Sequence, residues 1–181
     1  TLPNMTILAP CDANEMRNLI PATLKWPHPI YIRLSRGDEP IITEKKKKFI
    51  IGKSYKLKKS DKFLFLSTGI ASRISFNAAE KLEKENNIKA GVIHFPTIKP
   101  LDKTALLGAL KKAKKIITVE ENVLTGGFGS SILEFCSDNL KEHLHKISRV
   151  GLNDVFIDDY GDQSHLLDKY NITDTALAKK M

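Results

Sequence analysis

The stretch Lys115–Ser131, KIITVEENVLTGGFGSS, decides how this chain folds. Ile116, Ile117, Thr118 and Val119 make an apolar, β-branched run that ends in two carboxylates, Glu120 and Glu121. The glycine loop Gly126-Gly127-Phe128-Gly129 follows, and Phe128, Ile132, Phe135, Cys136 and Leu140 then recur at helical spacing. The pattern predicts a strand, a turn and a helix over 126–140. A glycine loop at such a junction either cradles a phosphate on the helix N-terminus or makes a tight turn under a closely packed helix. GGFG lacks the spacing of GxGxxG, no Gly-Lys-Ser/Thr follows, and two carboxylates just before the loop would repel a pyrophosphate, so the tight turn is favoured. Neighbouring strand residues point to opposite faces, so Glu120 and Glu121 do not converge on one substrate. Hydrogen bonding to loop or partner backbone is the role expected of them.

Upstream of this stretch the same alternation appears twice. FLFLST (63–68) precedes a helix over Ala71–Asn86, and AGVIHF (90–95) precedes a helix over Asp102–Lys114. Downstream, HKISRVGL supplies a fourth strand, and short helices are expected near Gln163–Lys169 and Thr173–Lys180. Strands separated by helices lie parallel, so 62–181 reads as a three-layer α/β/α domain with a mostly parallel sheet. Residues 1–37 read as strand, helix and strand: MTILA, then a helix capped by Asp12 that Pro21 should kink or split, then IYIRLSRG. That unit has too little apolar surface to fold alone and reads as the last crossover of a preceding α/β domain. A chain beginning at Thr1 and entering a strand so soon looks cut from something longer. Residues 38–61 read as a linker and a lysine-rich hairpin arm, FIIGKSYKL pairing with FLFLST across KKSDK.

Composition bounds the function. The 181 residues are 41% hydrophobic and 28% charged, as in an ordinary globular protein, with no apolar run of membrane-spanning length and no signal peptide. Of the net charge of +8, the segment from Glu44 to Lys62 carries a local +7. The excess is one segment rather than a basic helix face with interleaved aromatics, which disfavours nucleic acid as a partner. Cys11 and Cys136 form no CxxC, lie beside no histidine in sequence, and fit a reducing, cytoplasmic setting. The histidines are scattered, with no third ligand near His143 and His145 and no obvious partner for His28, His94 or His165; no metal site is expected. No catalytic residue is assigned. Arg36 ends a strand before a glycine, at the rim where α/β domains expose their ligands, and a guanidinium there can grip a phosphate or carboxylate with paired donors; pairing with Asp38 or Glu39 is the plainer alternative.

PNMTILAPCDANEMRNLI, PIYIRLSRG, LSTG at 66–69, TIKPLD at 97–102, ITVEENVLTGGFGSS and RVGLNDVFIDDYG, in this order, resemble the C-terminal part of the transketolase-like thiamine-diphosphate enzymes. YIRLSRG leans toward transketolase and its split-chain relatives, and GLNDVFIDDYG toward 1-deoxy-D-xylulose-5-phosphate synthase. The resemblance implies that 1–37 is the end of a pyrimidine-binding domain, 38–61 a linker with its lysine-rich arm, and 62–181 the transketolase C-terminal domain. It implies a cytoplasmic homodimer whose intact form uses thiamine diphosphate and Mg2+ to pass two-carbon ketol units between sugar phosphates. No GDG-type diphosphate and metal motif is present, so this piece alone is expected to hold no cofactor and to be inactive without the N-terminal and pyrimidine domains, whether in the same or a separate chain. Arg36 matches the arginine that grips the substrate phosphate in such enzymes, with Arg33 as support. The alternative from another class is a non-catalytic α/β interaction or dimerisation module.

Overall fold

The computed structural model describes residues 2–35, 39–45 and 48–181. Fifteen elements follow in order: β1 (Thr6–Leu8), α1 (Ala13–Thr23), β2 (Ile30–Ile32), β3 (Tyr55–Lys58), β4 (Phe63–Ser67), α2 (Ala71–Asn86), β5 (Ala90–His94), β6 (Thr97–Lys99), α3 (Lys103–Lys112), β7 (Lys115–Val123), α4 (Phe128–Asn139), the 3-10 helix Lys141–Lys146, β8 (Ile147–Leu152), α5 (Gln163–Lys169) and α6 (Asp174–Lys180). The larger sheet runs β3-β5-β4-β7-β8. Its three pairings among β5, β4, β7 and β8 are parallel, and β3 joins antiparallel at the edge.

Strand periodicity builds the three layers. Successive side chains of a strand face opposite ways, and each central strand here sorts its apolar residues accordingly. Leu64 and Leu66 of β4, Ile93 of β5 and Ile116 of β7 pack with Leu106 and Leu110 of α3 and Phe128 and Ile132 of α4. Phe65, Val92, Ile117 and Val119 face the other side, where Ala78, Ala79 and Leu82 of α2 and Leu177 of α6 cover them. Both faces of β4, β5 and β7 are therefore buried, which is why those strands read as continuous apolar runs.

Three expectations need correction. The hairpin of 49–57 with β4 does not form: β5 and β7 already occupy both edges of β4, so β3 pairs with β5, Tyr55 opposite His94. Pro21 lies inside α1 without splitting it, and the helix stops two residues later at Thr23. The stretch TIKPLD contains a strand: β6 pairs antiparallel with β1, making a second sheet β2-β1-β6 whose third member comes from beyond residue 62. Asp102, which ends that stretch, caps α3 through the Ala105 N–H and also accepts from the N–H and hydroxyl of Ser54, fixing the turn that leads into β3.

Candidate functional site

The glycine loop is filled by the protein itself. Glu120, at 1% exposure, directs its two carboxylate oxygens at the start of α4, accepting from Phe128 N–H at 2.7 Å and Gly129 N–H at 2.8 Å. These are the donors a phosphate would use at a helix N-terminus. Gly126 takes φ +69°, and a side chain at Gly127 would strike the Glu120 carboxylate and the Val123 carbonyl. The loop is a tight turn capped by a strand carboxylate, as its spacing suggested. Burial pushes the Glu120 carboxyl above its ordinary value, against the pull of the two N–H groups and of Arg33 and Arg149. Glu121 faces away and accepts from Gln163 Nε2 at 2.9 Å; burial raises its carboxyl as well.

Where β1 and β2 end, Asp12 organises the chain. It caps α1 through the Glu15 N–H, and it also accepts from the N–H groups of Ile42 and Thr43 and from the Thr43 hydroxyl, tying residues 42 and 43 to the helix start. Burial pushes this carboxyl up, but the hydrogen bonds from Thr43, Glu15 and Ile42 together outweigh it and hold Asp12 below the usual aspartate range. A cavity of about 390 Å3 opens here, lined by Pro10, Cys11, Asp12, Met16, Ser35 and Glu39 among others. Arg33 lines a neighbouring cavity of about 270 Å3 with Gly69, Glu121 and Gln163, and its Nη2 lies 3.3 Å from where a Gly69 side chain would begin. Arg36 lies outside the described residues; Ser35 Oγ donates to Glu39 Oε1.

Behind this rim runs a buried polar line that sequence reasoning missed. Ser67 Oγ donates to Ser72 Oγ at 2.9 Å, Ser72 Oγ meets His94 Nδ1 at 2.6 Å, and His94 Nε2 meets Glu15 Oε2 at 2.8 Å. The same Glu15 oxygen accepts from Cys11 N–H at 2.8 Å. One run of donors satisfies the line: Ser67 to Ser72, Ser72 to Nδ1, and Nε2–H to Glu15 Oε2. Burial, with Glu15 and Asp12 beside it, pushes the Cys11 thiol far above its ordinary range. Signals for this cluster existed. Asp12-x-x-Glu15 has capping-box spacing, which turns the glutamate back toward the residues before the helix, and His94 sits in a strand apolar on both faces, where an imidazole needs a partner.

Residues 52–177 match the family described as transketolase, C-terminal domain. The chain belongs to the transketolase C-terminal domain family. An uncharacterized transketolase family protein of Sinorhizobium fredii is 34% identical over 99% of this chain and 52% of its own length. A transketolase C-terminal section of Methanocaldococcus jannaschii is 33% identical over 99% and 55%. The 1-deoxy-D-xylulose-5-phosphate synthase of Halothermothrix orenii is 37% identical over 97% of this chain and 28% of its own. The chain thus spans about half the length of the first two relatives and about a quarter of the third. A solved structure described as an inactive β4 tetramer of a split-gene transketolase superposes with a TM-score of 0.90 at 29% identity, covering 99% of this chain and 57% of that one. Transketolase of Pichia stipitis, at 21% identity and a TM-score of 0.70, shares the fold. In this transketolase-family chain the VEE and GGFG signatures are now accounted for as one capped turn. No helix among the described residues is long and apolar enough to cross a membrane.

Proposed function

We propose that this chain is the C-terminal portion of a thiamine-diphosphate-dependent transketolase that transfers two-carbon ketol units between sugar phosphates, and that Arg36 holds the substrate phosphate. The observation that carries the reading is the cavity at the ends of β1 and β2. It lies at the strand ends where α/β sheets expose ligands, and it is lined by Ser35, the residue before Arg36. Segments 1–37, 38–61 and 62–181 are then the end of a pyrimidine-binding domain, a linker with its lysine-rich arm, and the C-terminal domain. Pairing of β6 with β1 supports a fixed junction between the first and the last.

The described residues do not fit thiamine diphosphate. The glycine-rich helix start that could take a diphosphate has its N–H groups committed to Glu120. On this reading the cofactor and Mg2+ belong to the N-terminal and pyrimidine domains, in the same or a separate chain, and the isolated 181 residues are inactive. Likeness to a split-gene transketolase described as inactive supports this reading. Cys11 and Cys136 are both free, in keeping with a cytoplasmic enzyme, which we take to act as a homodimer.

In the intact enzyme a grip on a remote phosphate is uniform binding, so Arg36→Ala raises KM for a phosphorylated acceptor more than it lowers kcat, and Arg33→Ala does so less. An unchanged KM removes Arg36 from the site. The 37% identity to a 1-deoxy-D-xylulose-5-phosphate synthase favours a second reading. Product analysis separates the two: formation of 1-deoxy-D-xylulose 5-phosphate rather than a ketol-extended sugar phosphate selects the synthase.

A further inference from the structure

Cys11, Glu15 and His94 bring a thiol sulfur, a carboxylate oxygen and a ring nitrogen within 4.8 Å of one another, all three side chains being buried. Backbone structure fixes each of them: Cys11 and Glu15 flank the capped start of α1, and His94 closes the fully buried strand β5. The cluster also holds an anomaly. Glu15 Oε1 is buried and has no hydrogen-bond partner, although its sister oxygen has two. A buried carboxylate oxygen without a protein partner is a costly arrangement in a protein interior. Among the described residues, His94 is the one ion-pair partner Glu15 has.

We propose that Cys11, Glu15 and His94 form a binding site for a single divalent metal ion of the zinc class, set between α1 and β5. The donor set selects the ion. Sulfur with imidazole nitrogen disfavours Mg2+ and Ca2+, which take oxygen ligands, and suits Zn2+ or its spectroscopic substitute Co2+. Charge selects it too: one thiolate and one carboxylate neutralise a dication, leaving a neutral assembly in an apolar interior. Tetrahedral zinc holds its donors about 3.5 Å apart, so the widest separation, within 4.8 Å, closes by about 1 Å while the His94–Glu15 hydrogen bond of 2.8 Å opens to admit the ion. Glu15 Oε1 would be the carboxylate ligand, which gives the unpaired oxygen its partner, and the fourth tetrahedral position would be left to solvent, as in zinc sites with three protein ligands.

The surroundings suit a ligated histidine. With the metal on Nε2 the ring proton moves to Nδ1, where Ser72 Oγ at 2.6 Å becomes its acceptor. The Cys11 N–H on Glu15 Oε2 continues to orient the carboxylate. The Cys11 S–H bond breaks as the sulfur–metal bond forms, its proton passes to solvent, and nothing is oxidised or reduced. The bound ion would clamp the segment before residue 37 to the sheet of the C-terminal domain. The site shares Cys11 with the wall of the cavity at the ends of β1 and β2, but neither Arg36 nor Arg33 takes part, so its test does not depend on the phosphate-binding reading.

Titration of the chelator-stripped, reduced protein with CoCl2 decides the matter. One equivalent binds, giving a cysteinate-to-cobalt charge-transfer absorption with visible bands of tetrahedral form, and ZnCl2 bleaches both and raises Tm. Cys11→Ser abolishes the charge-transfer absorption, Cys136→Ser retains it, and Ser72→Ala weakens zinc binding by about 10- to 100-fold. Absence of the absorption in the folded wild-type protein at stoichiometric cobalt overturns the proposal. Its persistence in Cys11→Ser does so as well. The wild-type titration stands alone should a variant fail to fold.

Discussion

Two glutamates at helix starts, Glu120 and Glu15, are almost equally inaccessible at 1% and 3% exposure, yet they are used in opposite ways. Glu120 reaches across from β7, and both its oxygens accept backbone N–H groups of α4. Glu15 belongs to the first turn of α1 and concentrates two hydrogen bonds on Oε2 while Oε1 has none. The conspicuous glutamate, in a motif that invites a ligand, has its acceptors fully committed to architecture. The inconspicuous one keeps an oxygen in reserve. Chemical capacity follows unsatisfied valence at a site, not the prominence of the sequence around it.

Substitutions can break this contrast. Glu120→Ala removes a charged cap and orphans two buried donors, and should lower stability in urea unfolding by about 3 kcal/mol. The same conservative change at both positions then sharpens the difference. Glu120→Gln turns an N–H donor toward a backbone N–H and should cost about 2 kcal/mol, whereas Glu15→Gln in chelator-treated protein can place its amide at the unpartnered position and should cost under about 1 kcal/mol. Equal costs would dissolve the distinction.

Asp12 provides a test by pH. Its folded-state pKa lies below the unfolded value of about 3.9, so its stabilisation is fully present above that value and is lost as pH falls through the depressed one. The advantage of wild type over Asp12→Asn, about 1 to 2 kcal/mol near neutrality, should therefore fade in acid. A difference that stays flat down to pH 2 would show that the Ile42 and Thr43 bonds do not favour the charged form. The smallest effect is a coupling. Gly127→Ala should cost about 1 kcal/mol, and roughly half of that should vanish in a Glu120→Ala background, measured as a double-mutant cycle.

Local periodicity explains why so much of the molecule could be read in advance. The predicted α2 over 71–86 has those bounds, and the helices after β5 and β7 lie within two residues of expectation at each end. Pairing choices are non-local and were not legible. β3 and β4 are adjacent in sequence and rich in strand formers, but nothing in either records that β5 and β7 claim both edges of β4. β6 is three residues long, too short to show a period, and its partner β1 lies some 90 positions earlier. His94 and Glu15 are separated by 79 residues, and only the fold places ring and carboxylate 2.8 Å apart.

That short strand has a consequence for how the molecule comes into being. During synthesis β1 and β2 emerge well before their partner β6, and the sheet β2-β1-β6 closes only once residues 97–99 have left the ribosome. β1 waits for β6, and β6 then holds it. Protease nicking in the irregular stretch 39–45 should accordingly leave two fragments that travel together through gel filtration and part only on denaturation.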